Sequence, residues 1–205
     1  CVADWGELLA DSCELAASRK SYEESLALRD RAGEKQAAAE TQVALASLAI
    51  EEGHAHEAED ALKKCMEQFH REQAVDDELA ASTMLTRALL AEGKIGDAKK
   101  EIEGAKALAT QSQNQLVRFQ FDLARARVLL TSERPNLPRA EVDEILGEAR
   151  KRGFVGIEFE ARLVLAEWEK KSGHDAVART ELAGLENSAR SRGYGLVARK
   201  AAAAR

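Results

Sequence analysis

Small and large apolar residues recur along the chain at fixed offsets from a set of glycines. Five residues after Gly53, Gly93 and Gly173 come Ala58, Ala98 and Ala178, and four residues further come Leu62, Ile102 and Leu182. Small residues at recurring positions let two helices approach closely, and the large ones fill the groove beside them. The glycines themselves keep time. Gly33, Gly53, Gly93, Gly153, Gly173 and Gly193 fall on one lattice of spacing 20, which takes six of the 13 glycines into a single phase. An even scatter would leave fewer than one there, so the spacing is a repeat. Glycine just past a helix supplies the left-handed residue that ends it. The pattern therefore predicts helix, turn, helix, turn, in units of about 20 residues.

Two kinds of node alternate on this lattice. One closes Ala49-Ile50-Glu51-Glu52-Gly53, Leu89-Leu90-Ala91-Glu92-Gly93 and Glu169-Lys170-Lys171-Ser172-Gly173. The other is Arg31-Ala32-Gly33, Arg152-Gly153 and Arg192-Gly193, with Gln73 and Gln113 standing at missing nodes. The repeat is thus 40 residues long and holds two helices, A and B. The predicted helices are 2–11 and 14–32, 35–52 and 55–72, 76–92 and 95–112, 115–131 and 139–152, and 155–172 and 175–192, with a last helix A from Tyr194. Both prolines, Pro135 and Pro138, fall in the segment 132–138, which predicts a longer A–B loop. Gly104 and Gly184 sit at equivalent mid-helix B positions, where a packing reason is expected because glycine weakens a helix. No segment reads as an interdomain linker, so residues 1–205 are expected to form one domain.

Composition agrees with this period. The chain has 39 Ala and 24 Leu against 21 Val, Ile and Thr together, which favours helix and nearly excludes a β or α/β fold. No apolar run approaches the roughly 20 residues of a membrane span, so no membrane insertion is expected. A net charge of −6 argues against nucleic acid as the main partner, since phosphate binding wants clustered Lys and Arg. Three cysteines, Cys1, Cys13 and Cys65, form neither a disulfide framework nor a zinc site and fit a reducing compartment. A cytoplasmic location is expected. The alternative, periplasmic or lipid-anchored outside the cytoplasm, would use Cys1 as an acylation site. The absence of an initiator Met suggests a fragment of a larger protein.

The unit resembles the tetratricopeptide repeat (TPR). The match is carried by Ala88-Leu89-Leu90-Ala91-Glu92-Gly93-Lys94-Ile95-Gly96-Asp97-Ala98, by Leu45-Ala46-Ser47-Leu48 through Gly53 to Ala58, and by Leu165-Ala166 through Gly173 to Ala178. A 40-residue unit is similar to the long-helix variant attached to bacterial signalling ATPases, kinases and transcription regulators. Tyr22-Glu23-Glu24-Ser25-Leu26-Ala27-Leu28-Arg29, followed by Gly33, is similar to that variant's inter-repeat segment. The resemblance implies an all-α, right-handed α-solenoid of antiparallel helix pairs, with Ala46 and Ala166 letting helix A pack on helix B. The chain departs from the pattern at Glu133, where the node glycine is missing, and at Glu169, where an apolar residue is typical. Pentatricopeptide arrays share the helical repeat but would be basic. HEAT-type repeats share the period but not the Gly-then-Ala spacing.

Catalytic constellations are not found. Gly93-Lys94-Ile95-Gly96 lacks the spacing and flanking strand of a phosphate loop, and no Gly-x-Ser-x-Gly elbow occurs. His54 and His56 sit two apart in a turn, a poor spacing for a metal pair, and Cys65 reads as a buried thiol. Neither catalytic, cofactor-binding nor metal-binding residues are expected, and the chain is not expected to be an enzyme.

The family register implies a concave groove lined by helix A. Its inward rows are Ser47, Arg87, Arg127 and Glu167; Val43, Thr83, Leu123 and Leu163; and Glu40, Ala80, Gln120 and Glu160. The implied partner-binding set is Ser47, Thr83, Arg87, Gln120, Leu123, Arg127, Glu160, Leu163 and Glu167. Arginine forks on one ridge would suit a carboxylate or an acidic peptide. Equally, Arg127 and Glu167 can pair between neighbouring repeats. The Lys and Asn set with which some family members clamp a C-terminal carboxylate is missing, so chaperone-tail binding is disfavoured. Phe119, Phe121, Phe154, Phe159 and Trp168 gather the aromatics in the C-terminal half, mostly as core. The expected function is a non-catalytic scaffold for protein–protein interaction that binds a protein or peptide. The alternative is a regulatory or sensor module of a larger bacterial signalling protein. A homodimer could form through the exposed terminal helices.

Overall fold

The computed structural model describes residues 2–131 and 139–205, and helix is the only regular structure among them. The helices are α1 (Val2–Asp11), α2 (Leu15–Ala32), α3 (Lys35–Glu51), α4 (Ala55–Glu72), α5 (Val75–Ala91), α6 (Ile95–Gly104), α7 (Lys106–Gln111), α8 (Gln115–Leu130), α9 (Arg139–Arg152), α10 (Val155–Lys171), α11 (Asp175–Ser191) and α12 (Gly195–Ala204). Their ends fall within about a residue of those that the glycine lattice predicts. The exception is the helix expected over 95–112, which is broken at Ala105 into α6 and α7. The loop expected around Pro135 and Pro138, with Glu133, lies outside the described residues. Among those described, no helix is long and apolar enough to cross a membrane.

The turns explain why the rhythm is so regular. Among the described residues, positive φ occurs at Gly33, Gly53, Gly93, Gly153, Gly173 and Gly193, and otherwise only at Cys13 and Gln73. All eight lie on the 20-residue lattice. At each, the next residue's N–H donates to the carbonyl five residues back: Glu14 to Leu9, Glu34 to Arg29, His54 to Ala49, Ala74 to Phe69, Lys94 to Leu89, Phe154 to Ala149, His174 to Glu169 and Tyr194 to Ala189. This is the Schellman closure of a helix C-terminus. It satisfies a carbonyl that the helix leaves open and starts the next helix after one residue. Gln113 does not join the series. There the chain runs extended through Ser112 (φ −58°, ψ 134°), and Asn114 Oδ1 instead accepts from the N–H groups of Leu116 and Val117. A side-chain N-cap has replaced a left-handed C-cap.

Packing follows chain order. Each of α2 to α5 lies against the next, α5 continues onto α6, and α9 to α12 do the same. Next-but-one contacts join α3 to α5 and α10 to α12, so helices A also meet one another. The chain gathers into two compact units, one of Cys1–Ala10 with Glu14–Phe121 and the other of Asp11–Cys13 with Asp122–Arg205. In the first, Ala58, Ala98, Leu62 and Ile102 are all buried, as are Ala178 and Leu182 in the second. Val142 is buried at the same register position, 40 residues from both Ile102 and Leu182. The repeat therefore persists where the node glycine is lost. Ala46 and Ala166 are also buried, as the close approach of paired helices requires.

Gly104 proves to be the last residue of α6 rather than a mid-helix position, and neither it nor Gly184 shows the expected packing reason. A Cβ on Gly104 would meet nothing within 4 Å, and one on Gly184 would meet only the Arg162 guanidinium at 3.9 Å. Neither glycine is needed for packing. Gly6 is: a Cβ there would stand 2.8 Å from the Tyr22 ring, while Ser18 Oγ donates to the Gly6 carbonyl at 2.6 Å. At the end of α10, lysines reach the ends of neighbouring A helices. Lys171 Nζ donates to the Leu130 carbonyl of α8, and Lys170 Nζ donates to the Ala204 carbonyl of α12 at 2.7 Å.

Candidate functional site

Three of the residues expected on the helix A face fall in the first unit on α3 and α5. Ser47 is half-buried, Thr83 is buried, and the Thr83 hydroxyl has no hydrogen-bond partner among the described residues. Arg87 Nη2 donates to Glu51 Oε1 at 2.9 Å, so the guanidinium of one helix A is held by the carboxylate at the end of the preceding one. Gln120, near the end of this unit's share of α8, is exposed.

The other five lie in the second unit, on α8 and α10. Arg127 Nη2 donates to Glu160 Oε2 at 2.6 Å, and its Nε lies 3.6 Å from Glu167 Oε2. Lys200 of α12 stands 3.6 Å from Glu160 Oε1. Burial pushes the Glu167 carboxyl above its ordinary range, Arg127 holds it back, and Glu160 adds to the rise. Two cations and two carboxylates neutralise one another here. An acidic ligand would have to displace Glu160 or Glu167 before it met a guanidinium. Leu123 and Leu163 are 2% and 3% exposed, which makes them core between helices rather than contact surface. The Arg127–Glu167 pairing between neighbouring repeats, which the sequence left open beside ligand binding, is present.

Two further clusters sit at lattice turns. In the second unit, Glu169 accepts hydrogen bonds from Arg139 and, at 2.6 Å, from the His174 ring, while the Arg139 guanidinium lies 5.0 Å from the Trp168 ring centroid. Burial by itself would raise the Glu169 carboxyl, but the bonds from His174 and Arg139 outweigh it and hold it below its ordinary range. The residue that departs from the family's apolar preference is thus buried but paired. Of the C-terminal aromatics, Phe121 and Phe159 are buried and Phe119, Phe154 and Trp168 are half-buried.

In the first unit, His56, Glu59 and Glu92 bring their ligating atoms within 4.8 Å of one another. Sequence reasoning placed His56 in a turn with His54. It is instead the second residue of α4, whose cap is His54. The spacing His56-x-x-Glu59 was the available signal, since residues three apart share a helical face. Its third member, Glu92, is adjacent only through the packing of α4 on α5 and could not be read from the sequence. No protein-family model matches the chain, and neither a curated protein nor a solved structure does.

Proposed function

We propose that the chain is a non-catalytic, tetratricopeptide-like α-solenoid that binds a protein or peptide along its helix A face. The observation that carries this reading is the 40-residue helix pair closed at every described node but one by the same left-handed turn. A repeat of this kind multiplies one surface along a row and has no need to assemble a catalytic constellation. The exposed or half-exposed candidates, Ser47, Arg87, Gln120, Arg127, Glu160 and Glu167, are the residues a partner would read. Thr83 in the first unit and Leu123 and Leu163 in the second are buried and are not among them.

Crosslinking capture with the wild-type chain, beside Ser47→Arg/Arg87→Glu and Arg127→Glu variants whose helicity has been matched, tests the face. The expected result is a partner held by the wild type and lost from at least one variant. Recovery of the same partners by all three proteins would remove the helix A face from consideration.

A further inference from the structure

We infer that His56, Glu59 and Glu92 form a binding site for one divalent transition-metal ion, which takes the place that the Lys94 ammonium holds between the two carboxylates. His56 and Glu59 project from the first turn and a half of α4, and Glu92 directly follows α5. An imidazole with two carboxylates is a donor set that first-row divalent ions accept. A tetrahedral zinc ion about 2.1 Å from each ligand requires donors roughly 3.4 Å apart. His56 Nδ1 already stands 3.7 Å from Glu92 Oε2. The remaining adjustment falls on His56, whose side chain is 85% exposed and has room to swing.

Two further observations point to a cation. Lys94 Nζ bonds Glu59 and lies 2.7 Å from Glu92 Oε2, so the fold already places a positive charge between these carboxylates. The ammonium leaves one oxygen unsatisfied, because Glu92 Oε1 is buried without a hydrogen-bond partner among the described residues. A metal ion can engage both oxygens of one carboxylate, which would use the lone pairs that the lysine does not reach. Glu59 also accepts from Lys63 Nζ at 3.2 Å, so it keeps a cationic partner when the Lys94 ammonium leaves. Displaced, Lys94 has an outlet: its side chain is 37% exposed. Metal bound here would tie the start of α4 to the turn between α5 and α6.

Calorimetric titration of the untagged full chain with Zn2+ tests this, with Co2+ absorption as a spectroscopic check on ligand number. The wild type is expected to bind one equivalent at micromolar to submillimolar concentration. His56→Ala should weaken binding at least tenfold, and Lys94→Met should strengthen it several-fold, because the competing ammonium is gone. His174→Ala, at the turn in the other unit, should leave it unchanged. The assignment is overturned by wild-type binding no tighter than millimolar, by undiminished binding in His56→Ala, or by a Lys94→Met variant that binds no more tightly than the wild type.

Discussion

Single residues at the lattice turns set both the fold and its weak points. A left-handed backbone costs an L-residue with a side chain about 1–2 kcal/mol, and Gln73 (φ 58°) and Cys13 (φ 72°) both adopt it. Gln73→Gly should therefore raise stability by about 1 kcal/mol, and Gly93→Ala should lower it by a similar amount, both read as shifts in urea midpoint. Glycines with ordinary helical φ obey a different rule. Gly104 faces open space, so Gly104→Ala should stabilise by roughly 0.5–1 kcal/mol. Gly6→Ala should do the opposite, since its methyl would enter the Tyr22 ring. If thermal melts rank those two alanine variants the other way, the packing of α1 on α2 is misassigned.

What the sequence made legible is concentrated at these turns. Six glycines on one lattice located nearly every helix end, because a left-handed cap is a local requirement that one residue type meets best. Cys13 lies on the same lattice but carries no sequence signal of its turn, since only glycine announces such a cap. Gln113 shows the converse. Its place on the lattice predicted a turn like the others, but Asn114, three residues past α7, offered a competing cap through its side chain. The candidate face was legible as a register and not as an exposure. Thr83, Leu123 and Leu163 keep the expected phase yet are sealed by neighbouring helices, a consequence of packing that no single-helix pattern carries.

Between whole elements, the energetics lie in one contact position that recurs every 40 residues rather than in charge pairs. Leu62, Ile102, Val142 and Leu182 each occupy the same register of a helix B at no more than 1% exposure. Leu182→Ala should cost about 2–5 kcal/mol through lost burial and the cavity it leaves. Arg190→Ala, on the same helix with its guanidinium 2.8 Å from Glu186 in an i,i+4 pair, should cost less than about 0.5 kcal/mol. Chemical denaturation of the two variants measures the contrast. Comparable losses would mean that α11 is held by its ion pairs.

On the scale of the molecule, acid should loosen the fold through a few carboxylates. Bonds from Lys94 and Lys63 hold Glu59 below the ordinary value of 4.5, and those from His174 and Arg139 hold Glu169 below it too. A carboxyl lowered on folding contributes stability that is complete above its unfolded value and is lost as pH falls through the folded one. Unfolding free energy should therefore decline as pH drops below about 4.5, and Glu169→Gln should flatten part of that decline. Glu167 works against the trend, because its raised carboxyl is favoured by protonation in the folded state. A Glu169→Gln variant with an unaltered acid profile would place the acid sensitivity elsewhere.

The paired lysines at the end of α10 carry a consequence for cooperativity. Lys171 closes the last carbonyl turn of α8, and Lys170 closes that of α12. One helix thus serves as the terminator of two others that it neighbours on either side in the A series. When α10 opens, both of those ends lose their donors at once. Amide hydrogens in the last turns of α8 and α12 should then exchange with opening free energies that move together in Lys170→Met/Lys171→Met, while those of α9 stay behind. Unfolding in this unit would spread from its middle, with its outer helices following, and fraying inward from its edge would be the minor route.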